Sequence, residues 1–112
     1  MNNLNKLLNV KDIENNNIFH LLTNENKEKK IEKILKKNHS NIQNNLNYRN
    51  NEGDTPLHLA VKTKNNKIIG MFLNYGANKD ILNGLGKKIN IENLTGGSKK
   101  SKKQIYYGKR YL

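Results

Sequence analysis

The chain has 112 residues, a net charge of +12 and an apolar share of 34%, against about 45–50% counting glycine in ordinary globular domains. That allows one domain plus a tail, with a modest core. The absence of cysteine excludes disulfides, thiolate metal sites and cysteine nucleophiles, and favours a reducing intracellular compartment, cytoplasmic or nuclear.

Taken in chain order, Leu4, Leu7 and Leu8 predict a short N-terminal capping helix within residues 1–16, with Val10 and Ile13 leading onward. Met1 to Asn9 holds too many Asn residues for a signal peptide, and no later run approaches the ~20 apolar residues of a membrane span. Asn17-Ile18-Phe19-His20-Leu21-Leu22 opens a short helix. A second helix follows with Ile31, Ile34 and Leu35 on one face. Its other face interleaves Glu25, Glu28 and Glu32 with Lys29, Lys30, Lys33, Lys36 and Lys37, an exposed surface with i,i+4 pairs. Asn38 to Asn45 reads as a loose polar loop, and Leu46 to Asn50 as an extended link.

Residues 50–82 carry the clearest pattern. Asn50 and Gly53 are turn formers. Thr55 can cap the next helix through its hydroxyl, and Pro56 falls at the first helical position, where a missing N–H costs nothing. Leu57, Leu59, Ala60 and Val61 give that helix a buried side. After polar Lys62 to Asn66, Ile68, Ile69, Met71, Phe72 and Leu73 form a second apolar stripe at helical spacing. Gly76 then stands where a helix terminus wants positive φ. Helices this short must pack on one another and on neighbours.

Thr55-Pro56-Leu57-His58-Leu59-Ala60 with Gly53 ahead of it and Gly76-Ala77 behind resembles an ankyrin repeat, which has this order and a period of about 33 residues. The resemblance is strong for 50–82 and weaker elsewhere, with 17–49 a degenerate repeat and 83–95 a partial one. It implies an all-α solenoid of paired short antiparallel helices joined by β-hairpin turns. In that family the Thr and His of the motif share hydrogen bonds that brace the turns, a role the resemblance gives to Thr55 and His58. Lys64-Asn65 replaces the family's Gly-His between the helices. A non-Gly residue must therefore take the left-handed turn at about 1 kcal/mol, and Asn65 is the residue expected there. Lys79 replaces an apolar residue. With only two recognisable repeats, marginal stability is expected. The bias towards Asn (23 residues) and Lys (19, against two Arg) resembles that of proteins from AT-rich genomes such as large DNA viruses.

Downstream, Asn83-Gly84-Leu85-Gly86 starts another hairpin, but Lys87-Lys88-Ile89-Asn90 lacks the motif that should come next. Ile89, Ile91 and Leu94 can supply a capping half-repeat. Gly96-Gly97-Ser98 reads as a linker into an expected disordered tail over 96–112. There Lys99, Lys100, Lys102, Lys103, Lys109 and Arg110 interleave with Tyr106, Tyr107 and Tyr111, with no acid among them. Such a segment can bind single-stranded nucleic acid, direct nuclear import, or simply keep the protein solvated.

No catalytic constellation emerges. His20, His39 and His58 lack zinc spacing, the serines lack a nucleophile context, and Asp12/Glu14 and Glu52/Asp54 read as solvated turn carboxylates without a base. No cofactor or metal is expected. The resemblance implies a non-enzymatic, monomeric module that binds a protein partner through hairpin tips and the first-helix face. The tip residues are Arg49, Asn51, Glu52 and Asp54, with Leu85 and Lys87 on the next tip. Lys62 and Thr63 lie near the helix face. The alternative is a nucleic-acid-associated or nuclear-targeted accessory protein acting through the tail.

Overall fold

The computed structural model of the protein describes residues 3–37 and 39–89. The partial-repeat residues Ile91 and Leu94 and the basic tail lie outside them. Six helices run along the described chain: α1 (Asn3–Asn9), α2 (Ile18–Asn24), α3 (Glu28–Lys36), α4 (Ile42–Leu46), α5 (Pro56–Lys62) and α6 (Asn66–Asn74). α2 packs on α3 and α5 on α6, while α2 faces α5 and α3 faces α6, so two helical pairs stack as layers. Every boundary of α2 and α3 recurs 38 residues later in α5 and α6.

Both first helices start with a reciprocal cap. Thr55 Oγ1 accepts from the His58 N–H, while His58 Nδ1 accepts from the Thr55 N–H at 2.8 Å. Asn17 does the same with His20 and also accepts from the Phe19 N–H. Each pairing satisfies helix-start donors that would otherwise be unpaired. α3 and α6 contribute Ile31, Leu35, Ile68, Ile69 and Phe72 to one core with Leu8, Phe19, Leu46, Leu57 and Ala60. Burying each large side chain is worth about 1.5–3 kcal/mol. Phe19 and Phe72 meet edge-to-face at 5.8 Å across the layers.

Three expectations are corrected. The segment 38–45 is no loose loop, because α4 occupies Ile42–Leu46 and buries Ile42, Asn45 and Leu46. Those side chains fill space against the pair boundary, and the Asn45 carbonyl accepts from the Asn17 side chain at 2.8 Å, which anchors the segment. The left-handed residue between α5 and α6 is Lys64 (φ 59), with Asn26 (φ 55) in the first pair. Asn65 cannot take that conformation because it caps α6 in extended geometry, its side chain accepting from the Ile68 N–H at 3.0 Å. Finally, no strand occurs among the described residues. The connections are tight turns, each closed by its own side-chain oxygen rather than by a ladder.

Those turns begin at Asp12, Asn50 and Asn83 and share one construction. In each, the first N–H donates to the carbonyl four residues on: Asp12 to Asn16, Asn50 to Asp54, Asn83 to Lys87. In each, the first side-chain oxygen accepts two backbone N–H groups, from Glu14 and Asn16, Glu52 and Asp54, or Leu85 and Lys87. The fourth residue, Asn15, Gly53 or Gly86, has positive φ. Of residues 1–16 only Asn3–Asn9 is helical; the rest leads into the first turn.

Candidate functional site

The three turns lie side by side and present one edge of the molecule. The first and second are stitched by the Asn51 N–H to Glu14 carbonyl bond at 2.9 Å. The Asn15–Asn51 amide pair at 3.1 Å and the Asn50–Asn16 pair at 2.8 Å add to it. The second and third approach so closely that a Cβ at Gly84 would collide with the Glu52 carbonyl. The Gly84 N–H donates to Asp54 Oδ1 at 3.3 Å.

Several nominated contact residues turn out to brace this edge. Asp54 is buried, and its carboxylate holds Lys62 Nζ at 2.8 Å. That corrects both its placement as a tip contact and its reading as a solvated carboxylate. Burial works to raise its pKa. The Lys62 ammonium and the Gly84 N–H outweigh that, so the group stays below the usual Asp range. Arg49 spends its guanidinium on the carbonyls of Gly53 (3.0 Å) and Leu82 (3.1 Å), clamping the second turn to the third. Thr63 caps the end of α5 and donates to the Ala60 carbonyl. Lys62 keeps an exposed stem. Asn51 is exposed but committed to the first turn. Glu52, Leu85 and Lys87 remain exposed at the edge, and their side chains make no hydrogen bond or ion pair among the described residues.

The motif histidines are structural connectors. Because Nδ1 of each ring accepts from a backbone N–H, Nε2 carries the proton. His20 donates it to the Asp54 carbonyl at 2.8 Å, and His58 to the Ile81 carbonyl at 2.9 Å. Each ring thus ties one layer to the next stretch of chain. Burial holds both below the ordinary His range, against the raising effect of those same carbonyls and of Asp54. Exposed Asp12 is held below its usual range chiefly by the Asn16 N–H.

The sequence reading missed Ile13 and Glu14, which belong to the same edge. Aligning His20 with His58 and extending backwards eight positions places them opposite Asn51 and Glu52. It also missed Asn47, which brackets the end of α6 by accepting from Asn78 N–H (2.7 Å) and donating to the Gly76 carbonyl (3.3 Å). Lys79 is exposed beside Asp80 at 3.6 Å. Gly76 has φ 103. Among the described residues no group of His, Asp and Glu could hold a metal ion, and no helix is long and apolar enough to cross a membrane. The tail residues nominated for nucleic acid or targeting (Lys99 to Tyr111) lie outside the described residues.

A family model for ankyrin repeats (3 copies) matches residues 2–83. No curated protein and no solved structure gave a match.

Proposed function

This chain belongs to the ankyrin-repeat family, whose members are generally protein-interaction modules, and we propose that it is a non-enzymatic module binding a protein partner through its turn edge. The observation that carries this reading is the division of labour within that edge. Asp54, Arg49, Asn50 and Asn51 hold the turns in fixed register, while Ile13, Glu14, Glu52, Leu85 and Lys87 project from them without internal bonds of their side chains. Rigid backbone under exposed, varied side chains presents a surface whose ordering cost is already met before binding. Lys62 and Thr63 extend the surface along α5.

The test begins with a partner cross-linked to the full chain, identified and purified. The triple variant Glu52→Ala, Leu85→Ala, Lys87→Ala should weaken its binding at least tenfold, about 1.4 kcal/mol, at unchanged melting temperature. A chain ending at Gly97 should bind as the full chain does. Unchanged affinity in the triple variant overturns this placement, and loss on truncation transfers the function to the tail.

A further inference from the structure

The row of turns repeats one rung, and the rung is left incomplete at both ends. Inside the chain, the second residue of one turn donates to the third residue of the turn before it: Asn51 N–H to Glu14 C=O. The second residue of the first turn is Ile13, and the third residue of the last is Leu85. The Ile13 N–H and the Leu85 carbonyl have no partner among the described residues. One end therefore offers the donor of a rung and the other its acceptor. The side chains at those two places are the most exposed large apolar groups described, Ile13 at 94% and Leu85 at 82%. Val10 extends the apolar surface beside Ile13, and Leu82 beside Leu85.

We propose that copies of this chain stack head to tail, the Ile13 end of one against the Leu85 end of the next. The Ile13 N–H makes a rung with the Leu85 carbonyl, and the two side chains bury one another. A two-fold pairing is disfavoured, because it sets donor against donor or acceptor against acceptor. A head-to-tail contact does not close, so the product is an open stack rather than a dimer. Stacking also adds layers to a chain with few repeats, and repeat stability grows with each nearest-neighbour interface. The net charge of +12 opposes association, so salt promotes it by screening. The stack departs from the monomer expected at the outset.

Sedimentation of the full chain from micromolar to millimolar concentration, at low and high salt, tests this. The average mass should rise with concentration and pass that of a dimer, more so at high salt. Ile13→Asp alone and Leu85→Asp alone should stay monomeric with the melting temperature of the parent, since both positions are exposed turn tips. Mixed in equal amounts, they should double in mass and stop, because each retains the end the other lacks. A parent that stays monomeric throughout overturns the proposal. So does either variant associating alone as the parent does, or a mixture that stays monomeric or grows beyond a dimer. No partner protein enters this assay, so its failure leaves the proposed function standing.

Discussion

The α2–α3 pair and the α5–α6 pair are the same object built from different residues. Asn17 caps where Thr55 does, Ile18 starts the helix where Pro56 does, and Asn15 (φ 66) turns where Gly53 (φ 82) does. Asn26 and Lys64 both take the left-handed position. The motif that marks the second pair is therefore one solution to a set of backbone demands: an acceptor at the cap, positive φ at two turns, and a ring nitrogen three residues after the cap. The two pairs differ most in the connections that leave them. The turns at Asp12 and Asn50 are 38 residues apart, and those at Asn50 and Asn83 only 33. The five additional residues match the length of α4, so a longer connection has been turned into core.

The comparison can be broken most severely through the contact between the pairs. Phe72→Ala should destabilise by about 3–5 kcal/mol through lost burial and the cavity left behind, measured by denaturant melts. Phe19→Ala should cost a similar amount. The double variant should fall short of the sum by about 1 kcal/mol, the worth of the edge-to-face pair. Strict additivity would mean that the two rings do not couple the layers.

Acid should loosen both pairs through their histidines. Each ring has a folded pKa below its ordinary value of 6.5, so the unfolded chain binds the proton more readily and stability rises with pH. The contribution is whole above about 6.5 and is lost as pH falls below it. Protonation also puts a hydrogen on the Nδ1 that accepts from the cap N–H. The denaturation midpoint should drop between pH 7.5 and pH 5.5, and the slope should flatten in a His20→Gln, His58→Gln double variant. Asp54 and Asp12, both held below 3.8, lose their contribution only in more acid solution, so the two windows are separable.

Exchanging the caps sharpens the contrast further. Asn17→Thr keeps a capping oxygen but removes the donor to Asn45, which leaves a buried carbonyl without that partner. It should cost about 1–2 kcal/mol. The reverse change, Thr55→Asn, should cost a few tenths, as cap residues exchange with little loss. A smaller gain should come from Thr23, which stands where the second pair has Val61. Its buried hydroxyl has no hydrogen-bond partner, and Thr23→Val should stabilise by about 1 kcal/mol. The smallest effect is expected at Lys64→Gly, a gain of about 0.5 kcal/mol from relieving the left-handed backbone. Asn26→Gly should be near neutral, since Asn tolerates that conformation.

The features legible in the sequence are those that short-range chemistry dictates. Thr55, Pro56 and His58 lie within one turn of helix, so their cap can be read from spacing. The apolar stripe of α6 follows from its period. The same reading assigned the left-handed residue one position late, because it weighed Asn65's tolerance of that conformation and overlooked its use as a cap. It placed Asp54 and Arg49 at an outward-facing tip, because carboxylates and guanidinium groups in polar turns are ordinarily solvated. Here Lys62 lies eight residues from Asp54, and Leu82 lies 33 from Arg49. Nothing local announces either pairing.

The amino-acid sequence by itself determined the helices, their caps and the family, since each depends on residues a few positions apart. Only the tertiary structure decided which polar groups face inward. His20 finds the Asp54 carbonyl 34 residues away, and Asn17 finds Asn45 28 residues away. Those bonds exist because one layer lies on the next. Stacking also removes water from groups that would otherwise be solvated, and so separates the residues that hold the turn edge from those it presents.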